Sequence, residues 1–412
     1  MAGKSDLKYD DLLRREERRG FASMVKPVGS LCNMRCRYCY YLDKAALYGY
    51  SEPRMNDGML ELYIRRSVEG NAAPVLSFVW HGGEPLLAGM EFYKKAVALQ
   101  KKYAEGRTVE NSIQTNGLLI DREWCGFLHD NAFLVGISID GPEDIHDAHR
   151  CDAGGRPTFA RVMKAIEMMY RSKVEYNTLS TVNISSEGRG HEVYAFLRQI
   201  SVYMQFLPVS ELVSDGFIRS PEQHDAQIAP WSVSPRGFGE FMCDIFDDWV
   251  QADVGSRYVQ LFDATLANMV GIQPSICSLC ETCGTALTVE HNGDVYACDH
   301  FVYPEYRLGN IRTDALGDLA YCDRQFGFGV RKRSSLPHRC RRCKYYPLCR
   351  GECPKHRFVK DSTDEYGLNV LCEGYRMFFE HTEPYMQRMK ALLLAGKAPA
   401  LVMGFARERL RR

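Results

Sequence analysis

Six short runs of apolar, β-branched or aromatic residues recur in the first half of the chain, separated by amphipathic segments. The separating segments, such as Met59 to Val68 and Phe92 to Lys102, carry apolar residues at helical spacing. The runs cover residues 22–27, 75–80, 112–115, 134–139, 178–182 and 202–207. Successive strand and helix units predict an α/β fold, a partial parallel (β/α)6 barrel whose functional residues lie at the carboxyl ends of the strands.

Residues typical of binding sites follow four of these predicted strands. A loop with three cysteines follows the first strand, and the segment HGGEP at 81–85 follows the second. The segment QTNG at 114–117 ends the third strand, and SIDGP at 138–142 ends the fourth. Because the carboxyl ends of parallel strands share one face of a barrel, the sequence predicts a single active face.

Three cysteines, Cys32, Cys36 and Cys39, lie on the loop after the first strand with gaps of three and two residues. Four thiolates would complete a zinc site or a 4Fe-4S cluster, whereas three leave one iron without a protein ligand. An open iron is free for a substrate or cofactor, so the loop predicts chemistry at a metal. Half of a zinc site, or a cluster of surface thiols, is the alternative. Zinc motifs usually pair CxxC with a second couple, and none follows within about eighty residues.

The spacing of these cysteines, with the aromatic Tyr38 before the last of them, resembles the signature of the radical S-adenosylmethionine (SAM) enzymes. In that family the open iron chelates SAM, and an electron from the cluster cleaves SAM to a 5′-deoxyadenosyl radical that abstracts hydrogen from an unactivated carbon. The resemblance implies a 4Fe-4S cluster and SAM as cofactors. It also implies that SAM is contacted by Tyr38, Gly82, Gly83, Glu84, Gln114, Asn116, Ser138 and Arg150.

The residues alone leave other interpretations of these segments open. The GGEP segment is also compatible with an ordinary turn, and Gln114 and Asn116 with turn formers. An arginine suits the carboxylate of SAM, because its planar fork gives two parallel hydrogen bonds. Arg150 is equally compatible with a solvated charge on a loop.

Ten cysteines lie between residues 277 and 372, after two predicted helices at 238–250 and 262–270. The spacing Cys340-x2-Cys343-x5-Cys349-x3-Cys353, followed by Cys372, resembles the SPASM extension of radical SAM enzymes that modify peptides and proteins. That extension carries two auxiliary 4Fe-4S clusters, each ligated by four cysteines. The resemblance implies auxiliary cluster I at Cys277, Cys283, Cys298 and Cys353, and auxiliary cluster II at Cys340, Cys343, Cys349 and Cys372.

Cys280 is the ambiguous cysteine of this set. It forms the pattern Cys277-x2-Cys280-x2-Cys283, in which spacing alone permits either adjacent pair as ligands, whereas the family pattern favours the outer pair. A structural zinc site at Cys340, Cys343, Cys349 and Cys353 is possible in isolation. It would leave Cys277, Cys283, Cys298 and Cys372 without a role.

Charge and composition limit the classes of partner and location that remain possible. Lysine plus arginine and aspartate plus glutamate number 52 each, so we expect neither nucleic acid nor membrane as a partner. We see no run of about eighteen apolar residues and no signal peptide, which favours a cytoplasmic protein. Sixteen cysteines in a reducing cytosol favour metal binding over disulfides, and exposed clusters with an open iron favour an anaerobic setting.

We expect five parts along the chain. A charged segment at residues 1–20 precedes the radical SAM partial barrel at 21–235, and connecting helices follow at 236–275. The SPASM domain is expected at 276–375 and a helical tail at 376–412.

The ensemble resembles the anaerobic sulfatase-maturating enzymes over about residues 20–390, through segments at 25–27, 114–117, 133–138, 296–299 and 308–311. These enzymes oxidise a cysteine or serine in a sulfatase's Cys/Ser-x-Pro-x-Arg motif to Cα-formylglycine, starting with hydrogen abstraction from Cβ. Asp299, directly after Cys298, occupies the position of the family's proposed proton acceptor and is implied as the catalytic base. His81 stands where a glutamine often precedes GGEP, which leaves its role open. Tyr40 and Tyr41 line the substrate path or serve packing.

The resemblance also implies partners, and two alternative functions stay open beside it. An unfolded or nascent sulfatase polypeptide is the expected substrate, bound in extended form largely through its backbone, and flavodoxin or ferredoxin is the expected electron donor. One alternative is a SPASM peptide maturase that forms thioether or carbon–carbon cross-links. Such proteins often carry an additional N-terminal peptide-binding domain, for which roughly twenty residues are too few. A non-catalytic iron–sulfur redox sensor or scaffold is the alternative of another class. The preference for cysteine or serine stays open.

Overall fold

The computed structural model describes residues 20–47, 54–223 and 225–410, so the charged segment expected at 1–20 lies outside the described residues except for Gly20. Strands and helices alternate through the first half as predicted. The strands are β1 (Ala22–Lys26), β2 (Val75–Trp80), β3 (Thr108–Thr115), β4 (Phe133–Ser138), β5 (Tyr176–Val182) and β6 (Tyr203–Pro208). The helices are α1 (Asp57–Glu69), α2 (Met90–Tyr103), α3 (Arg122–Asp130), α4 (Glu143–Asp147), α5 (Phe159–Arg171) and α6 (Gly190–Ile200).

Local chemistry accounts for these elements. Helix α1 begins where the Asn56 side chain accepts a hydrogen bond from the Met59 amide, and Asp121 caps α3 in the same way. In β4, residues at every second position are buried, as the alternation of side chains across a strand requires. Trp80 of β2 and Tyr93 of α2 meet with ring centroids 5.4 Å apart in the core between sheet and helices.

Strands β1 to β6 lie parallel and in chain order within one ten-stranded sheet. The sheet continues beyond β1, which pairs in parallel with β11 (Ala286–Glu290), and antiparallel strands β12 (Asp294–Tyr296) and β13 (Arg307–Asn310) follow at that edge. At the other edge, β10 (Tyr258–Val259) pairs with β6. The prediction of a partial parallel barrel is confirmed, since the six strands form an open arrangement.

The second half consists of short elements around the cysteines. A small sheet, β7 (Leu212–Ser214), β8 (Phe217–Arg219) and β9 (Gln227–Ile228), follows β6. The helices are α7 (Pro235–Ala252), α8 (Gln260–Met269), α9 (Leu316–Tyr321), α10 (Asp323–Ser334), α11 (His338–Arg341), α12 (Tyr346–Cys349), α13 (Cys372–Leu394) and α14 (Val402–Leu410). Strands β14 (Val359–Lys360) and β15 (Tyr366–Leu368) form a separate pair.

Helix α13 packs closely on α7. A Cβ at Gly374 would lie 2.2 Å from the carbonyl oxygen of Pro235, so only glycine permits this approach. Phe238 and Tyr375 bring their ring centroids to 4.9 Å beside this contact. The expected domain boundaries stay predictions: α13 runs across residue 375, and β11 to β13 belong to the barrel sheet. Among the described helices, none combines the length and apolarity that spanning a bilayer requires.

Candidate active site and cysteine clusters

The glycine-rich segment after β2 lies against the loop that leads to Cys32. The amide of Gly83 donates to the Gly29 carbonyl at 2.8 Å, and the amide of Glu84 donates to the Leu31 carbonyl at 2.8 Å. A Cβ at Gly83 would lie 2.1 Å from the Leu31 oxygen. Glycine is therefore required at Gly83, and the first two strand ends form one unit.

The buried Glu84 carboxylate joins the ends of β2 and β3. Its Oε1 accepts from the Leu86 amide at 3.0 Å and the Thr115 hydroxyl at 2.8 Å, and its Oε2 accepts from the Asn116 amide at 2.8 Å. Burial raises the pKa of Glu84 to about 7, although these hydrogen bonds oppose the rise. Both carboxylate oxygens are engaged by the protein, so Glu84 positions the surrounding backbone.

Side chains from the third and fourth strand ends extend this network. The side-chain nitrogen of Asn116, Nδ2, donates to Asn33 Oδ1 at 2.7 Å and lies 3.6 Å from Cys32 Sγ. Gln114 Nε2 donates to Ser138 Oγ at 3.1 Å. The residues expected to contact SAM thus lie beside the loop of the three cysteines.

Arg150 is a buried member of an ionic group and is 7% exposed. Its Nε lies 3.0 Å from Asp140 Oδ1, and the Tyr38 hydroxyl donates a hydrogen bond to Asp140 Oδ2. Burial alone would raise the pKa of Asp140, but Arg150 lowers it below its usual value. The interpretation of Arg150 as a solvated loop charge is therefore wrong.

The three cysteines of the loop interact with one another and are largely withdrawn from water. Burial raises the pKa of Cys32 and of Cys39 to about 11, and that of Cys36 to about 12. The charge of each thiolate opposes ionisation of a neighbouring thiol in this set. A cationic metal centre stabilises thiolates, so the loop suits metal binding.

The same charge interactions divide the remaining cluster cysteines into two sets. Cys298 interacts with Cys277 and Cys283, and Cys353 interacts with Cys298 and Cys277. The second set joins Cys340, Cys343, Cys349 and Cys372. These four line one cavity of about 370 Å³. The structure thus brings together each foursome that the sequence predicts as ligands.

Around a cluster, each thiolate binds a different iron, so the sulfurs need not converge on one point. In residues 20–47, 54–223 and 225–410, no three cysteine, histidine, aspartate or glutamate side chains are arranged around a single metal ion.

Cys280 lies beside the first set, because its charge also acts on Cys277 and Cys283. Its thiol faces the carbonyl oxygens of Ile276 and Pro274, at 3.5 and 3.7 Å. A thiol that donates to carbonyl groups is in its protonated form. This orientation favours the outer pair, Cys277 and Cys283, as ligands.

Asp299 lies directly after Cys298 and contacts both halves of the chain. The Lys26 ammonium at the end of β1 forms an ion pair with Asp299 Oδ1, and the Tyr40 hydroxyl donates to Oδ2. His81 Nδ1 lies 3.2 Å from Lys26 Nζ. Burial alone would raise the pKa of Asp299, but the Lys26 ammonium holds it well below its usual range, so the carboxylate is ionised and able to accept a proton.

The two tyrosines after the cysteine loop have different surroundings. Tyr41 is 1% exposed and donates to Glu290, which identifies it as a packing residue. Tyr40 donates to Asp299 and also borders a narrow cleft of about 10 Å³. The same cleft is lined by Glu211, Arg219, His300, Tyr303 and Lys355, among others.

Three functional candidates were not predicted from the sequence: Lys26, Lys44 and the pair Glu211–Lys355. Lys355 Nζ lies 2.5 Å from Glu211 Oε1 and 4.8 Å from the Tyr40 ring centroid. Lys44 Nζ lies 3.2 Å from the Tyr303 ring centroid, and burial lowers the pKa of Lys44 to about 7. Lys26 had a signal, because a charged residue ends an apolar strand on the predicted active face. The pair Glu211–Lys355 had no signal in the sequence, since its two members are far apart along the chain.

Comparisons with known proteins agree with this arrangement. The chain matches the family model of the radical SAM superfamily over residues 27–193 and that of an iron-sulfur cluster-binding domain, SPASM, over residues 276–344. It is 46% identical over 387 residues to the serine-type anaerobic sulfatase-maturating enzyme of Bacteroides thetaiotaomicron, covering 92% of this chain and 94% of the relative. The cysteine-type enzyme of Clostridium perfringens strain 13 is 33% identical over 368 residues, covering 88% and 96%.

Solved structures give the same result. Native anSMEcpe with bound AdoMet superposes with a TM-score of 0.81 at 32% identity, covering 90% of this chain and 99% of the other. Streptococcus suis SuiB bound to S-adenosylmethionine shares the fold, with a TM-score of 0.58 at 15% identity over 90% of this chain and 80% of the other.

Proposed function

Because this chain belongs to the family of anaerobic sulfatase-maturating enzymes, we propose that it oxidises a cysteine or serine of a sulfatase polypeptide to Cα-formylglycine. It is a protein-modifying radical SAM oxidoreductase with 4Fe-4S clusters and SAM as cofactors. The position of Asp299 carries the proposal: the carboxylate adjoins a cluster cysteine and contacts Tyr40 of the first cysteine loop. A base between the two cofactor regions is what this oxidation requires.

The proposed cluster ligands follow the three groups of cysteines. Cys32, Cys36 and Cys39 would hold the cluster that binds SAM, and the two foursomes would hold auxiliary clusters I and II. The mutual charge interactions within each group support this assignment, and the open cavity between the second four thiols leaves space for a cluster. When bound, these cofactors supply the abstraction of hydrogen and the acceptor for the remaining electron.

We assign the SAM site to the four strand ends. The constrained backbone at Gly82 and Gly83 forms a cradle that admits no side chain at Gly83, and Glu84 fixes it to β3. Tyr38, Gln114, Asn116, Ser138 and Arg150 complete the proposed set. Arg150 is held in place by Asp140, so it presents its guanidinium in one orientation.

In the proposed reaction, Asp299 accepts the proton from the hydroxyl or thiol of the target side chain. Lys26 and Tyr40 orient its carboxylate from opposite oxygens. The serine substrate loses one hydrogen atom from Cβ, one proton and one electron, and the aldehyde forms directly. The cysteine substrate gives a thioaldehyde that water hydrolyses.

The cleft beside Tyr40 is the proposed path of the substrate. A solved structure of native anSMEcpe contains the peptide Cp18Cys together with AdoMet. In this chain, Glu211, Tyr303 and Lys355 line the cleft together with Tyr40, which donates to Asp299. The cleft itself, at about 10 Å³, is too small for a peptide, so an extended peptide would bind along the surface at its mouth, largely through its backbone. Flavodoxin or ferredoxin is the proposed electron donor.

One experiment tests the function. The reconstituted, reduced protein is incubated with SAM and peptides containing Ser-x-Pro-x-Arg or Cys-x-Pro-x-Arg, and a peptide with alanine at the target position is the control. We expect the serine peptide to lose two hydrogens by mass and to react with a hydrazide, which reports an aldehyde. A loss of two hydrogens without hydrazide reactivity would instead identify a cross-linking maturase. Absence of SAM cleavage would identify a non-catalytic protein.

A further inference from the structure

Positive charge is concentrated in one part of a chain whose total charge is balanced. Lysine plus arginine equals aspartate plus glutamate over the whole chain, at 52 each. Residues 324–351, in contrast, contain nine lysines and arginines and no aspartate or glutamate. This run surrounds Cys340, Cys343 and Cys349, three of the four proposed ligands of auxiliary cluster II.

Four of the cations in this region line the cavity of those thiols, and we call them the basic rim. Arg339, Arg342 and Lys344 come from the run, and Arg376 comes from α13 on the other side. All four side chains are exposed. Glu380 is the carboxylate among the lining residues, and Glu383 lies 3.4 Å from Lys344 Nζ. The exposed Glu373 also acts on Cys372, so the four cations outnumber the three neighbouring carboxylates by one at the mouth of the cavity.

Part of this charge serves the cysteines themselves. Burial raises the pKa of Cys372, and Arg339 and Arg376 oppose that rise. Arg331 and Arg341 are also exposed but do not line the cavity, so the positive region extends beyond the immediate neighbourhood of the thiols.

We propose that the basic rim is the docking site of an acidic one-electron carrier protein of the flavodoxin or ferredoxin class, which exchanges its electron at auxiliary cluster II. The inference rests on the proposed function, which needs an external electron donor. One electron leaves the reduced carrier for the cluster held by the four thiols, from which it would pass on to the cluster that binds SAM, and no covalent bond changes. Charge complementarity speeds such encounters, and redox complexes are typically small and transient.

A single-stranded nucleic acid would also be attracted by a basic surface. The observation that favours an electron carrier is the position of the rim around a cavity lined by all four proposed ligands of one cluster. An electron carrier needs such access, whereas a nucleic acid gains nothing from it.

The test measures binding of the holoenzyme to an oxidised acidic flavodoxin at about 50 and 300 mM NaCl. The variant Arg339→Gln/Arg376→Gln should weaken the affinity at least fivefold at low salt and reduce its salt dependence. The control Lys101→Gln/Arg122→Gln changes the net charge equally on exposed barrel helices and should leave the affinity unchanged. In stopped flow, reduction by flavodoxin hydroquinone should slow in the rim variant, whereas reduction by photoreduced deazariboflavin should not.

The iron content of each variant is measured alongside. If Arg339→Gln/Arg376→Gln lowers it, the comparison is made with Arg342→Gln/Lys344→Gln. Equal flavodoxin affinity in wild type and an iron-replete rim variant would overturn the proposal. So would a rim variant that loses affinity for a single-stranded RNA of about 20 nucleotides but not for flavodoxin. Because binding is read without turnover, failure of the formylglycine assay does not affect this result.

Discussion

Lys26 and Asp299 form a largely buried ion pair that joins the amino-terminal half of the chain to the cysteine-rich half. Their side chains are 0% and 14% exposed. The parallel pairing of β1 with β11 places Lys26 opposite Glu290, and β12 then leads to Asp299. A residue from the first strand of the barrel thus orients the carboxylate proposed as the base.

Replacing Asp299 with asparagine removes the proton acceptor and keeps the size of the side chain. We expect formation of the aldehyde to fall by about 100-fold or more, with SAM cleavage retained, because general base catalysis contributes on that scale. Mass spectrometry of the peptide and chromatography of 5′-deoxyadenosine check both outcomes. The exposed Asp318→Asn should behave as wild type, and normal aldehyde yield in the Asp299 variant would show that another group takes the proton.

The Lys26→Met variant leaves the Asp299 carboxylate buried without its cationic partner. We expect the free energy of unfolding to fall by about 3 kcal/mol, because a buried charge without a counter-charge is costly. Adding Asp299→Asn should restore part of the loss. Thermal unfolding of wild type, the two single variants and the double variant, followed by circular dichroism under anaerobic conditions, measures their coupling. The exposed Lys101→Met serves as control. Additive effects of the two substitutions would show that the pair is not coupled.

The iron content of cysteine variants tests the ligand assignment. A chain with three 4Fe-4S clusters holds about 12 iron atoms. We expect Cys280→Ala to keep this number, because the Cys280 thiol faces backbone carbonyls. Cys283→Ala should lose about four iron atoms, since it removes a ligand of auxiliary cluster I. The reverse pattern would assign Cys280 as the ligand instead.

His146 predicts an acid-sensitive contribution to stability. Burial lowers the pKa of His146 to about 4, and its Nε2 lies 3.0 Å from Thr158 Oγ1. The ring is therefore neutral in the folded state, and its stabilisation is complete above the unfolded pKa of about 6.5 and lost as the pH falls toward 4. Between pH 7.5 and 5.5 we expect a loss of roughly 1 kcal/mol at this site.

Thermal unfolding of wild type and His146→Gln at the two pH values isolates this contribution. The difference between the two proteins should become smaller at pH 5.5, because the glutamine is not titrated. The exposed His129→Gln should show no such change. A difference that is independent of pH would contradict the assignment of a neutral His146.

The sequence predicted the barrel strands well where their pattern was apolar. β2 was predicted with both of its bounds, whereas β3 was predicted to start at residue 112 and starts at Thr108. The segment from Thr108 to Asn111 lacks an apolar pattern and is a strand because its backbone pairs with β2. Short elements such as β12 and α12 depend on tertiary contacts and leave no periodic signal.

The site was predictable in its cysteines and less so in its charged groups. Cysteine spacing is local and carries chemistry by itself, so the proposed ligand sets, which stay predictions, came from it and from the family resemblance. Tyr40 and Asp299 lie 259 residues apart, and no pattern in the chain connects them. Arg150 shows the same limit, because only the fold reveals that Asp140 holds it in the interior.

The pairing of β1 with β11 has a consequence for truncation. β1 also pairs with β2, so its amide and carbonyl groups are satisfied on both sides only when residues 286–290 are present. A fragment that ends after the barrel would expose this strand as an open edge, ready to associate with other chains. The cysteine-rich half therefore covers an edge at which the barrel alone would be expected to aggregate.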